Sequence, residues 1–286
     1  MNQSCGATKS NAGNLANGRP SPFRLHLSVR CVAVLLLAAA FPVCAIASPP
    51  KHRAKQAAAP PVDPHAMEAL NAMGAYLRTL QSFQVRATIS TDDVLDDGQI
   101  VESSSTVDAL VARPNRLRMK VDGDETNRLY LYDGKSFTIW GELNNYYATV
   151  AAPPTISELV DKIGDRFGIE LPLVDLFRWG TDPSFASRIE KAADIGPTSI
   201  DGVSCEQYVF HQVGIDWQIW IQLGQYPLPR KLVIRTLTDA ARPSHSQVLT
   251  WNLAPAFNDG AFTFDPPAGA QKIAIEETDS KSEQKH

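Results

Sequence analysis

The stretch Ser82-Phe83-Gln84-Val85-Arg86-Ala87-Thr88-Ile89 alternates strictly between apolar and polar residues. Successive side chains of a strand point to opposite faces, so Phe83, Val85, Ala87 and Ile89 fall on one side and Gln84, Arg86 and Thr88 on the other. A strand with one dry and one wet face belongs to an antiparallel sheet, because parallel strands are buried on both faces.

The same period recurs downstream. Asp97-Gly98 is a hairpin turn signal, and Val101 to Ala112 reads as the returning strand. Leu117, Met119 and Val121 alternate with Arg116, Arg118 and Lys120. Leu129 to Tyr132 and Phe137 to Trp140 flank the turn Asp133-Gly134, and Tyr146 to Val150 pairs next. The β pattern then stops. Thr155-Ile156-Ser157-Glu158 is a capping box, with Ile156, Leu159, Val160 and Ile163 on one helical face, and Leu171 to Trp179 reads as a second short helix. Strands resume near Ile189. Asp201-Gly202 turns into Val203 to Gln212, followed by Asp216 to Gln222, Arg230 to Thr238, Gln247 to Leu253 and the Phe262–Phe264 region. The pattern predicts a chain that is mainly β with some α: about eleven short antiparallel strands in a curved sheet or barrel, an N-terminal helix, and a helical insert that is either a plug on an open sheet edge or a lid over a cavity.

Upstream of Ser82, Asp63 is the expected N-cap and Pro64 the first-turn residue of a helix. Its stripe is Met67, Leu70, Met73, Leu77 and Leu80. Residues 48–63 form a Pro/Ala linker with nothing to bury, and 276–286 a charged tail, both expected to be disordered. Residues 1–47 read as a secretory signal peptide. Arg24, His26 and Arg30 precede the apolar run Cys31–Val43, and Ala45-Ile46-Ala47 offers a small-residue cleavage site. The run of 13 residues falls short of the ~20 needed to span a bilayer. Cys44 fits a lipidation site poorly, with Val43 where a small residue is required. Cleavage after Ala47 leaves Cys205 as the single thiol in an oxidising compartment, so the core alone must hold the fold.

The chain has 286 residues with 27 basic and 31 acidic. Loss of the signal removes four basic residues and no acid, leaving 23 against 31 and a formal charge of −8. That balance gives no footprint for nucleic acid or for an anionic membrane surface.

Motifs for chemistry are absent. There is no Gly-x-Ser-x-Gly, phosphate-binding glycine loop or His-Glu-x-x-His, and the histidines are scattered, so no catalytic residue, cofactor or metal ligand is expected. Cys205 and His211 tempt as a nucleophile and base. They lie six residues apart on one strand, about 20 Å at 3.3 Å per residue, and a buried inert thiol is the better reading. Asp92, Asp93, Asp96 and Asp97 miss the calcium-loop spacing and read as a solvated hairpin tip. The basic run Arg113–Lys120 is a wet strand face, or a contact for a carboxylate or phosphate head group. Trp140, Trp179, Trp217, Trp220 and Trp251 either fill a core or wall a cavity.

Several ordered motifs resemble one family. They are Asp133-Gly134-Lys135, Asn145-Tyr146-Tyr147-Ala148-Thr149, Gly168-Ile169-Glu170-Leu171-Pro172-Leu173, Asp201-Gly202-Val203-x-Cys205, Asp216-Trp217-Gln218-Ile219-Trp220-Ile221, Pro227-Leu228-Pro229-Arg230-Lys231 and Phe262-x-Phe264 with Pro266-Pro267-x-Gly269-Ala270. Across residues 66–275 the chain is similar to domain of unknown function 2092, a family of predicted periplasmic proteins. The resemblance implies a fold like the LolA and LolB lipoprotein carriers, in which a half-open barrel with a helical lid takes acyl chains. The resemblance and the alternation together give three expectations. The first is a periplasmic carrier for a lipid, fatty acid or lipoprotein acyl chain, without chemistry. Its lining would be Leu117, Met119, Leu129, Leu131, Phe137 and Ile139 from the early strands. Tyr208, Phe210, Trp217, Ile219, Leu232 and Ile234 would come from the later ones, and Ile156, Leu159, Ile163 and Leu176 from the lid. The second is an envelope protein-interaction or stress-sensor module with a filled barrel. The third is an enzyme, which would need a histidine such as His245 brought to Cys205.

Overall fold

The computed structural model describes residues 61–276 except 125, 180 and 182. The expected signal peptide, most of the expected linker, and residues from 277 onward lie outside the described residues.

Helix α1 (Pro64–Thr79) starts where the sequence places it, with the Asp63 carboxylate accepting the His65 N–H at 2.9 Å. Ala66, Leu70, Met73 and Leu77 form its buried face. Six strands follow as a meander: β1 (Ser82–Val94), β2 (Ile100–Ala112), β3 (Arg116–Gly123), β4 (Asn127–Tyr132), β5 (Ser136–Gly141) and β6 (Tyr146–Ala151). The insert holds α2 (Ile156–Phe167), α3 (Asp175–Arg178) and α4 (Pro183–Ser187). A second meander completes the sheet with β7 (Lys191–Ile200), β8 (Val203–Gln212), β9 (Ile215–Gln222), β10 (Pro229–Thr236) and β11 (Ser244–Asn252). A 3-10 turn, Asp259–Phe262, and a two-residue strand β12 (Gln271–Lys272) close the chain.

All twelve strands belong to one sheet, in the order β12-β6-β5-β4-β3-β2-β1-β11-β10-β9-β8-β7. Strand β11 returns to pair antiparallel with β1, so the two meanders meet at the centre of the sheet. The chain therefore leaves from β6, beside the short marginal strand β12, and re-enters at the opposite end, β7. Residues 152–190 must bridge those margins, and their apolar residues pack with the sheet in one core. The order has two ends, so the barrel is half-open.

Register fixes the faces. Val85 pairs with Ala109, which pairs with Met119, which pairs with Tyr130, which pairs with Ile139, and all share the inner face. On the other half, Trp251 pairs with Val85 across the seam, while Ile219 lies between Tyr208 and Leu232.

Three details depart from the sequence reading. The sheet gains β12, which pairs parallel with β6. Phe262 lies in a 3-10 turn and Phe264 outside any regular element, and both pack on the outer face, Phe264 against Trp140 and Tyr147. The segment from Leu171 is helical only over Asp175–Arg178, because Pro172 and a left-handed Leu173 (φ 59°) interrupt it. The first helix of the insert is as expected. Thr155 Oγ1 accepts the Glu158 N–H at 3.2 Å, and a left-handed Gly168 closes the helix with its N–H on Gly164.

Candidate functional site: a cavity under the insert

The nominated lining residues mostly build a closed core. Leu117, Met119, Phe137, Ile156, Leu159, Ile163 and Ile219 are at most 1% exposed, and Leu176, Tyr208, Phe210, Trp217 and Leu232 at most 3%. Phe210 stacks on Trp217 with centroids 4.1 Å apart, and Phe185 of α4 covers Trp217 at 5.7 Å. Helix α2 is fastened rather than loosely laid. The Tyr132 hydroxyl donates to Pro153 O at 2.5 Å, Ile156 N–H to Pro114 O at 2.8 Å, and Lys162 Nζ to Ala151 O at 2.7 Å. Burial pushes the Tyr132 phenol up to about 12.

Leu129 and Leu131 do not face this core. Leu129 pairs with Lys120 and Trp140, and Leu131 with Arg118 and Thr138, so both lie on the outer face. Tyr130 and Tyr132 take the inner positions. The reason is that Leu129, Tyr130, Leu131 and Tyr132 are all large and apolar-bodied, so hydropathy does not set the register. Leu131 is nonetheless buried, under Phe262, Phe264 and Pro266.

The core does not fill the concavity to its end. Beside the β1–β2 hairpin a cavity of ≈460 Å³ remains, roofed by Glu170–Asp175. Its apolar walls include Ile89, Val121, Leu171, Leu173 and Ile234. Of the nominated residues only Ile234 lines it; Phe210 and Trp217 instead border a groove at the β7–β9 margin with Pro61 and His211. Polar groups are set among the apolar ones: Thr91, Ser105, Thr126, Arg128, Tyr130, Glu170, Asp175, His245 and Gln247. Arg128 and Glu170 are exposed, which places the charges at the rim.

Deeper groups are held away from charge. Burial alone pulls the His245 imidazole below its ordinary value, and its Nδ1 lies 2.9 Å from Thr91 Oγ1. Burial raises the half-buried Asp175 carboxyl, and Arg178 opposes that only in part. Gln247 is 2% exposed, inward by its pairing with Leu232 and Ile89, and its amide has no hydrogen-bond partner among the described residues. Sequence reasoning nominates neither Gln247 nor Glu170–Asp175 for a lining, and names His245 only as a base for Cys205. The signal was present: His245 and Gln247 occupy the parity of Leu249 and Trp251, where the strand otherwise turns apolar residues inward.

Other titratable groups are structural in their contacts. Cys205 is fully buried, its Sγ 3.3 Å from Val203 O, and burial raises its thiol. His211 is held on Asp216 at 2.6 Å, away from Cys205. The Arg113 guanidinium lies 6.0 Å from the Phe177 ring, and burial lowers it. Among the described residues no cluster of three His, Cys, Asp or Glu side chains could hold a metal, and no helix is long and apolar enough to cross a membrane. The cavity can thus grip a small ligand by apolar walls and hydrogen bonds.

The chain is similar to several solved structures at low scores. A conserved protein from Thermus thermophilus is 13% identical over 73% of this chain and 99% of its own, with a TM-score of 0.41. The lipoprotein LppX of Mycobacterium tuberculosis is 13% identical over 68% of this chain and 100% of its own, at 0.36. A LolA superfamily protein from Nitrosomonas europaea is 12% identical over 70% and 97%, at 0.34. At these scores the likeness carries no functional weight. No curated protein matches the chain. The family profile of DUF2092, described as a predicted periplasmic protein, matches residues 66–276, and the chain belongs to that family.

Proposed function

We propose that this protein binds an acyl-bearing ligand in the periplasm and carries it without chemistry, in the cavity under Glu170–Asp175. The observation that supports this reading is the cavity itself: ≈460 Å³ on the inner face, with apolar walls and a polar rim. The volume falls in the ~300–1,000 Å³ range of small-ligand pockets. At about 30 Å³ per water it equals on the order of fifteen waters, which suits one short chain rather than a bundle. Burying six methylenes at about 0.8 kcal/mol each contributes roughly 5 kcal/mol, enough to retain a ligand without a covalent step. Mass spectrometry of organic extracts from mature protein purified without detergent tests it. Stoichiometric fatty acid or lipid supports the carrier; a clean extract, even after lipids are offered, overturns it.

A protein-interaction module is the second reading, favoured by a different observation. Most of the inner face is packed shut, while Leu95, Ile100 and Val101 stand 47–49% exposed at the β1–β2 hairpin tip. A clean extract would move the function to that tip.

A further inference from the structure

Gln247 is a buried residue whose carboxamide makes no hydrogen bond within the protein, yet it is not among the polar atoms sealed without a partner, so the amide opens into the cavity. It sits on β11 between Ile89 and Leu232, two apolar side chains, and is 2% exposed. Its carboxamide carries two donors and an acceptor, and no described residue engages any of them. A buried polar side chain without a protein partner meets water or a ligand instead. Here the amide borders the cavity. A ligand atom placed there would recover the missing hydrogen bonds.

The neighbours make this a site rather than a single group. His245 lies two residues along on the same face, opposite Thr91, and spends one ring nitrogen on the Thr91 hydroxyl. Its other nitrogen has no partner among the described residues. From the facing elements, β4 contributes Arg128 and Tyr130, and the roof contributes Glu170 and Asp175. Arg128, the only cation among the described lining residues, is exposed at the rim. An anionic head group seated beside Gln247 would be desolvated with no counter-charge at its depth, which is expensive. A hydroxyl, ester or amide has no such cost and matches a carboxamide that both donates and accepts. We propose that Gln247, with His245 and Thr91, forms the head-group subsite of the cavity and selects a ligand whose polar group is uncharged.

This rests on the ligand-binding reading above, and one titration series separates the two. Calorimetry below the micellar range would compare a monoacylglycerol, a fatty amide, the ionised fatty acid and a lysophosphatidate, all with one chain length. The wild type is expected to bind the two neutral probes about ten-fold tighter than the two anions. Q247L is expected to lose about ten-fold for the neutral probes, the equivalent of one to two hydrogen bonds, and to leave the anions within two-fold. Ligand-free Q247L should melt within a few degrees of the wild type, since the amide takes no part in the protein's own hydrogen bonds. A purely structural glutamine would instead lose stability on this change. Q247M, closer in shape, repeats the comparison if Q247L fails to fold. Equal binding of all four probes, unchanged by either variant, overturns the head-group subsite and leaves the cavity reading standing. Tighter binding of the anions overturns it too. Binding of none of the probes overturns the cavity reading and with it the subsite.

Discussion

Replacing Leu159 with Ala tests whether the insert is a fastened part of the core or a loose lid. Leu159 is 0% exposed and lies on the α2 face formed with Ile156, Val160 and Ile163, each at most 4% exposed. It packs in the same core as the sheet residues, so the surroundings have little room to absorb the loss. Truncating a buried leucine under those conditions costs about 2–5 kcal/mol, the removed methylenes plus the hole left behind. A domain of this size moves about 2–4 °C per kcal/mol, so the melting temperature should fall by roughly 4–20 °C. Urea unfolding followed by tryptophan fluorescence reads the same change. Trp217 and Trp220 on β9 are remote in sequence from α2, and a two-state transition should carry both halves of the sheet down together. A loss under about 1 kcal/mol would refute the reasoning, because α2 would then be lying on the sheet without being packed into it.

Other outcomes follow from single contacts. Tyr132→Phe removes the bond to Pro153 O and leaves that acceptor unpaired, at a cost of about 1–2 kcal/mol by urea unfolding. In an alkaline spectrophotometric titration of the seven tyrosines, Tyr132 and Tyr208 should ionise last, both pushed up to about 12 by burial. Thr155→Ala should cost about 1 kcal/mol through the lost cap on the Glu158 N–H. Two histidines should give opposite pH dependences. The hydrogen bond to Asp194 raises His65, so its contribution is complete below the unfolded value of 6.5 and is lost as pH rises through the folded one. Burial lowers His245, so its neutral form contributes above 6.5 and that contribution is lost as pH falls. Melting curves of the wild type, His65→Gln and His245→Gln between about pH 5 and 8 separate the two.

The fold was legible wherever one parity was apolar and the other polar. Ser82–Ile89 and Leu117–Val121 read correctly because Arg, Gln and Lys mark the wet face unambiguously. Caps and turns were equally local, as Asp63, Thr155, Gly134 and Gly202 show. Strand β4 was not legible in its facing, because leucines and tyrosines alternate there and only the pairing with β3 decides which pair turns inward. The site was hidden for a different reason. The sequence offers apolar residues for a lining, but whether they wall a cavity or close into a core depends on how α1, α2 and the sheet divide the interior. They close over most of it. What stays open is lined by the turn that carries the left-handed Leu173 and by two polar residues at inward positions, His245 and Gln247.

The most direct test of the account is native mass spectrometry of wild type and Val121→Phe, both purified from periplasm without detergent. Val121 walls the cavity and is 5% exposed, so the larger ring fills the space a chain would occupy. The account predicts a one-to-one small-molecule adduct on the wild type that is absent from a folded Val121→Phe. An adduct retained equally by both proteins would place the ligand elsewhere, and a bare mass for both after lipids are supplied would contradict the carrier altogether.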